Sequence, residues 1–92
     1  MTRIIVENII WDSWNREHIG KHGVQPAEVE EAGKQIIYHK RTYGGRYLLI
    51  GRSGFRLLGL VLKRIEPKTY YLVTARDASK KERRDVYEKQ KK

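Results

Sequence analysis

Residues 46–76 consist of three apolar runs separated by two short polar interruptions. β-Branched, aromatic and leucine side chains fill the runs, and Ser53-Gly54 and Glu66-Pro67-Lys68 separate them. Runs of this composition are typical of β-strands, and the two interruptions are typical of tight turns. The pattern predicts a meander of three consecutive strands.

The first hairpin of this meander predicts which side chains share a face. A two-residue loop at Ser53-Gly54 pairs Arg52 with Phe55, and each further pair lies one residue outward on both strands. One face then carries Arg46, Leu48, Ile50, Arg52, Phe55, Leu57, Gly59, Val61 and Lys63. The other carries Tyr47, Leu49, Gly51, Arg56, Leu58, Leu60 and Leu62. Both faces are apolar at mid-strand, so the sheet needs cover on both, or cover on one and a ligand on the other.

Capping residues and periodicity predict five further elements around the meander. These are a strand over residues 4–10, a helix over 13–22 with Asp12 as N-cap and Gly23 as stop, a helix from Pro26, a strand over Ile36–Arg41 and a C-terminal helix opened by a capping box at 79–82. The first helix carries a stripe of Trp11, Trp14, His18, Ile19 and His22. Of these, Trp14 and Ile19 are predicted to lie in the core. The order β-α-α-β-β-β-β-α predicts an α+β fold.

Composition limits the kinds of protein this can be. Ninety-two residues are enough for one domain. There is no cysteine, so neither a disulfide framework nor a thiolate metal site is expected. No apolar run approaches the length of a membrane span, and the N-terminus lacks a signal-peptide pattern. We expect a cytoplasmic protein without a membrane partner.

The distribution of charge favours a polyanionic partner. The formal net charge is +9, and residues 32–65 hold eight basic side chains and no acidic one. Such charge can simply solvate a surface. Here tyrosines interleave with the cations: Tyr38, Tyr43, Tyr47, Tyr70 and Tyr71. Aromatic rings and cations together suit stacked bases and phosphates, so nucleic acid is the favoured partner.

Several short motifs occur in a defined order between residues 10 and 88. They are Trp11-Asp12, Asn15, Lys21-His22-Gly23-Val24, Gly51-Arg52, and Thr74-Ala75-Arg76-Asp77-Ala78-Ser79 followed by Glu82. In this order and spacing they resemble the BrnT family of toxins. The resemblance implies a RelE-like fold with a mainly antiparallel sheet, as one BrnT-like domain over residues 1–92 that ends in a basic helix at 78–92.

The same resemblance implies a function and partners. It implies the toxin of a type II toxin-antitoxin system, a metal-independent endoribonuclease that cleaves RNA and inhibits translation. The implied partners are RNA and a cognate antitoxin with a ribbon-helix-helix DNA-binding part, and operator DNA is reached only through the complex with that antitoxin.

RNA cleavage without a metal needs a base, an acid and cations around the phosphate. His22 and Lys21 end a helix, and Arg76 ends an apolar strand next to a helix start. These three are the predicted catalytic residues. The predicted RNA-binding residues are Arg52, Arg56, Tyr71, Lys80 and Arg84.

Each of these residues also has a structural interpretation. His22 can act as a helix-end cap, and Arg76 can pair with Asp77 or Asp12. Tyr71 can fill the core, and Arg52 and Arg56 can be solvated. Ser79 and Glu82 are assigned to the capping box.

The sequence predicts neither a metal nor another cofactor. His18 and His22 have the spacing of a metal-binding pair, but the chain lacks the accompanying Glu and any cysteine. Two other functions stay open. One is a catalytically inactive nucleic-acid-binding module, and the other is a partner-docking component of a DNA-binding regulatory complex.

Overall fold

Residues 4–90 are described by the structure, a computed structural model, and form an α+β fold. The elements are β1 (Asn8–Ile10), α1 (Ser13–Lys21), α2 (Pro26–Lys34), β2 (Ile36–Arg41), β3 (Arg46–Ser53), β4 (Arg56–Glu66), β5 (Thr69–Asp77) and α3 (Lys80–Gln90). The predicted order is confirmed. The end of the predicted C-terminal helix, residues 91–92, lies outside the described residues.

The strands form one mixed sheet in the order β1-β5-β4-β3-β2. β1 pairs with β5 in parallel, and the other three pairings are antiparallel. β1 is shorter than the predicted strand. Only residues 8–10 pair with β5, although Ile4 and Val6 before them are buried in the core.

The predicted hairpin loop lies one residue too early, so the predicted partner of each β3 residue is wrong by two positions on β4. Ser53 pairs with Arg56, so the loop is Gly54-Phe55 and Arg52 pairs with Leu57. Gly54 takes the first loop position with φ +60°, a conformation for which hairpin loops select glycine. Because both strands shift together, the alternation of side chains between faces is unchanged, and the predicted face assignment holds.

α1 and α2 cover the first face of the sheet. Ile19, Val29 and Ala32 of these helices are fully buried in one cluster with sheet residues. The sheet side chains of this cluster are Leu49, Leu58, Leu60, Leu62, Tyr70, Leu72 and Ala75. Ile19 is therefore a core residue as predicted. Trp14 is not, because 56% of it is exposed.

α3 and the residues just before it cover the second face. Ala78 and Val86 are buried there against Leu48 and Ile50. The sheet therefore has protein cover on both faces. Any site for a ligand must lie around the sheet rather than on the middle of a bare face.

The start of α1 is fixed by a capping box. The Asp12 carboxylate accepts from the Asn15 amide at 2.9 Å, and the Asn15 side chain accepts from the Asp12 amide at 2.9 Å. Asn15 also donates to the carbonyls of Ile10 and Leu72. The predicted Asp12 cap is confirmed, and Asn15 ties the helix to β5. No helix within residues 4–90 is long and apolar enough to cross a membrane.

Candidate functional site

The C-terminal end of α1 presents the predicted imidazole to solvent. His22 follows the last helical residue, Lys21, and both are exposed. The His22 amide donates to the Ile19 carbonyl at 2.9 Å, and Gly23 turns the chain away at φ +70°. Because the backbone of His22 completes the helix end, its side chain is not needed as the cap.

Arg56 connects this helix end to the sheet. Its Nη1 donates to the Gly23 carbonyl at 3.0 Å and to both carboxylate oxygens of Glu28 at 3.0 Å. Its Nε donates to Asp77 Oδ1 at 2.6 Å, and Nη2 donates to Asp77 Oδ2 at 3.3 Å. One guanidinium thus joins the end of α1, the start of α2, the start of β4 and the end of β5.

Arg76 is held on the other face by α3. Its Nη1 and Nη2 donate to the two carboxylate oxygens of Glu82 at 2.8 and 2.9 Å. Nη1 also donates to the Asp77 carbonyl at 3.0 Å. The Arg76 side chain is 41% exposed and that of Glu82 13% exposed. The guanidinium therefore keeps an accessible side although it is paired.

The sheet allows this ion pair because Gly59 lies beneath it. Gly59 pairs with Arg76 across β4 and β5. A Cβ on Gly59 would lie 3.3 Å from Glu82 Oε1 and 3.4 Å from Arg76 Nη1. Both distances are tight, so a side chain at position 59 would press on the pair.

His22 and Arg76 share one end of the sheet but not one face. Arg76 lies on the α3 face with Gly59, whereas Arg56, which holds the turn after His22, lies on the α1–α2 face. The contacts that connect His22 to Arg76 run through Gly23, Arg56 and Asp77. The structure therefore does not bring the imidazole and the guanidinium into direct contact.

A groove crosses this end of the sheet. Its volume is about 530 Å³, and it is lined by Ser53, Phe55, Arg56, Leu57, Asp77 and Arg83. Phe55 at the hairpin tip is fully exposed. Another groove, of about 610 Å³, lies between the N-terminal segment and β2. Neither groove is lined by His22, Lys21 or Arg76 themselves. We take the groove at Phe55 as the candidate site because two of its lining residues connect to the predicted catalytic residues. Arg56 contacts Gly23 in the turn after His22, and Asp77 contacts Arg76.

A crystal structure of the Brucella abortus ribonuclease toxin BrnT has a similar fold. The match has a TM-score of 0.64 at 26% sequence identity, and it covers 79% of this chain and 97% of that one. No family model and no curated protein matches the sequence.

The fold of this chain is similar to that of a BrnT toxin.

The likeness extends over nearly the whole length of the toxin that the chain matches.

The other predicted site residues of this chain are dispersed. Lys80 and Arg84 are exposed on α3, and Arg52 is partly exposed near the end of β3. Within residues 4–90 the Arg52 side chain makes no hydrogen bond or ion pair. The Tyr71 hydroxyl donates to Asp12 Oδ2 at 2.9 Å, so this tyrosine supports the start of α1.

Sequence reasoning missed the ion pairs that organise the site. Arg76 pairs with Glu82, not with the Asp77 or Asp12 carboxylate considered from the sequence. Arg56 is bound by Glu28 and Asp77 rather than solvated. The capping box at residues 79–82 is confirmed, with the Ser79 amide donating to Glu82 and the Glu82 amide to Ser79. Local spacing revealed that box, but no local pattern signals ion pairs across the sheet.

The acidic groups of the site stay ionised at neutral pH. Hydrogen bonds from Arg76 lower the pKa of Glu82 from its usual value to about 2, against an opposing effect of burial. Arg56 lowers the pKa of Asp77, and the Gln25 amide followed by Arg56 lowers that of Glu28. A carboxylate with a lowered pKa is a weak base near pH 7, so these groups are better suited to positioning the arginines than to transferring protons. Within residues 4–90 no group of three or more acidic or histidine side chains could hold a metal ion.

Proposed function

We propose that this chain is the toxin of a toxin-antitoxin pair and a metal-independent endoribonuclease that blocks translation by cleaving RNA. The observation that carries the proposal is the likeness to the Brucella abortus ribonuclease toxin over 97% of that chain. The formal charge of +9 and the eight cations without an acidic residue at 32–65 also support it, because RNA affinity depends on phosphate neutralisation.

The proposed catalytic residues are His22, Lys21 and Arg76. His22 is exposed, and imidazole is the side chain most often used in acid–base catalysis, so it can move a proton to or from a ribose oxygen. Lys21 beside it supplies a cation for the reacting phosphate. Arg76, fixed by Glu82 with one side accessible, lies on the α3 face beside the groove residue Asp77 and binds a phosphate there. Arg56 positions the α1 end relative to the sheet.

Cleavage of RNA in the presence of EDTA tests the activity. The purified chain should cleave single-stranded RNA, and His22→Ala should lose at least about a hundredfold in rate, since general acid–base catalysis contributes about that much or more. His39→Ala is the matched control, because His39 lies in β2 at an outer edge of the sheet and not at the end of α1. Intact RNA, or equal cleavage by His22→Ala and wild type, would contradict the proposal.

Arg76 needs a more conservative variant, because its removal leaves Glu82 unpaired. Arg76→Lys keeps the positive charge for Glu82 and loses the two-pronged geometry. We expect slower cleavage with little change in thermal unfolding. Cleavage at the wild-type rate would remove Arg76 from the proposed set.

The proposed partner is an antitoxin with a ribbon-helix-helix part that brings the complex to operator DNA. Expression of the chain alone should arrest growth, and co-expression with such an antitoxin should restore it. The complex should shift operator DNA in a gel, and the chain alone should not shift that DNA selectively. Growth unaffected by expression of the active chain would argue against a toxin.

A second candidate function is a nucleic-acid-binding module without turnover. The placement of His22 and Arg76 on opposite faces of the sheet favours it, since neither contacts the other. It predicts salt-dependent RNA affinity with no cleavage. The EDTA assay and a binding assay on the same RNA separate the two functions.

A further inference from the structure

We propose that the rings of Trp14, His18 and His22 form a stacking platform for unpaired bases of the RNA, an inference that rests on the ribonuclease function proposed above. These three residues, which we call the α1 ring ladder, recur every four positions along one side of α1. The sequence predicted Trp14 for the core, but the folded protein leaves it exposed.

The rings of the ladder contact one another. The Trp14 and His18 ring centroids are 4.9 Å apart and their planes differ by 8°, so these rings are stacked. The His18 and His22 centroids are 5.2 Å apart in an edge-to-face arrangement at 73°. Trp14 is 56% exposed. An indole pre-aligned by a neighbouring ring and open to solvent offers a ready surface for a base.

The ladder leads directly to the proposed catalytic end of α1. His22 is both its last ring and the proposed proton-transfer group, and Lys21 lies beside it. Arg16 on the same helix is also exposed. A strand whose phosphate is bound at Lys21 and His22 can place the adjacent bases along the rings. Rings for bases beside cations for phosphates are the composition that single-stranded RNA selects.

A protein occupant fits this surface less well. A stable interface buries roughly 800 Å² on each partner. One aromatic side chain buries at most about 250 Å², and the ladder rings already cover part of one another. A second copy is further disfavoured by repulsion, since each chain carries a formal charge of +9. A single base needs only one free ring face, so RNA is the occupant that the ladder can serve on its own.

The first test measures binding of a fluorescently labelled, fully 2′-O-methylated RNA oligonucleotide, which lacks the free hydroxyl needed for cleavage. Trp14→Ala should weaken binding by about 5-fold to 150-fold, the range that stacking of a base on an aromatic ring contributes. Trp14→Phe should keep most of the affinity because a ring remains. Tyr43→Ala removes an exposed ring of the same kind away from α1, in the turn between β2 and β3, and should weaken binding less than Trp14→Ala.

The second test does not depend on the stability of an alanine variant. The chain has two tryptophans, so Trp11→Phe leaves Trp14 as the sole indole. Its fluorescence should be quenched when the 2′-O-methyl oligonucleotide is added. An oligonucleotide of the same length and charge with abasic sites should bind more weakly and leave the fluorescence nearly unchanged.

The outcomes separate this inference from the function on which it rests. Unchanged affinity of Trp14→Ala, or an equal loss on the abasic oligonucleotide, overturns the platform while cleavage by the wild type still supports the nuclease. If Trp14→Ala loses affinity for an antitoxin but keeps its affinity for RNA, the surface binds a protein and the platform is overturned. A wild-type chain that neither binds nor cleaves RNA overturns both.

Discussion

Asn15 shows how one buried polar side chain can organise the surroundings of a site. It is completely buried, and its amide and carbonyl are used by the Asp12 backbone and by the carbonyls of Ile10 and Leu72. The cap of α1 was predictable because Asp12 and Asn15 are neighbours in sequence. The bond to Leu72, 57 residues away, was not, since nothing local specifies it.

Replacement of Asn15 should be costly. Asn15→Ala removes part of the capping box and leaves the buried Leu72 carbonyl and the partly buried Ile10 carbonyl without the Asn15 donor, and we expect a loss of about 2–3 kcal/mol in the free energy of unfolding. Asn8→Ala makes the same chemical change at an exposed position and should stay within about 0.5 kcal/mol. Urea unfolding followed by circular dichroism measures both. Equal effects of the two substitutions would refute the role given to Asn15.

Gly51 lies where the backbone of α2 closely approaches the sheet. A Cβ there would overlap the Ala32 carbonyl, whose carbon would lie 2.8 Å away. Backbone cannot move aside as a side-chain end can, so Gly51→Ala should destabilise the fold by about 1–3 kcal/mol or more. Gly20→Ala in α1 meets nothing within 4 Å and should stabilise by about 0.5–1 kcal/mol. Opposite signs in chemical denaturation are the expected result.

At the scale of elements, the β3–β4 hairpin explains why the faces were predictable and the register was not. Alternation has a period of two, so moving the loop by one residue on each strand leaves every side chain on its face. The choice between Ser53-Gly54 and Gly54-Phe55 depends on where the left-handed residue falls, which composition leaves open. Helix α3 was likewise predictable from its capping box, but its ion pair with β5 depends on tertiary placement.

The attachment of α3 should depend on acidity through Glu82. Its pKa is about 2 in the folded protein, below its usual value of 4.5. Folding is therefore favoured by the ionised form, and this stabilisation is present above about pH 4.5 and lost as the pH falls towards 2. Since Arg76 is partly exposed, we expect about 1–2 kcal/mol at neutral pH rather than the larger value that the full shift implies.

The difference in unfolding free energy between wild type and Glu82→Gln isolates this contribution. The difference should be largest near pH 7 and should shrink towards zero between pH 4.5 and 2. Glu88→Gln on the same helix controls for the change in net charge, because Glu88 is exposed. A difference for Glu82→Gln that does not vary with pH would show that the ion pair does not stabilise the folded state.

At the scale of the whole molecule, charge was the most reliable sequence signal, because composition does not depend on the fold. The positions of the charged side chains, in contrast, do depend on the fold. The eight cations at residues 32–65 lie on and around the sheet, and two of them take different roles: Arg56 is consumed by Glu28 and Asp77, whereas Arg52 stays unpaired within residues 4–90. Sequence could identify a cationic protein but not its free cations.

Two double variants with equal charge change separate local RNA contacts from the overall field. Lys80→Gln with Arg84→Gln removes two exposed cations of α3, and Lys40→Gln with Arg41→Gln removes two exposed cations of β2. If the α3 pair contacts phosphates, the slope of log affinity against log salt should fall by about 1.4, or about 0.7 per contact. The β2 pair should change it less. Equal slopes for the two variants would show that the α3 cations contribute only to the overall positive field and make no local phosphate contacts.

The outer position of β2 in the sheet has a consequence for handling the protein. Only β3 pairs with β2, and its last two residues, Lys40 and Arg41, are exposed cations. Lysine and arginine side chains on an unpaired edge strand disfavour edge-to-edge pairing of two copies into larger assemblies. Concentrated solutions should therefore stay clear at low ionic strength and become turbid when added salt screens the charges of this edge strand.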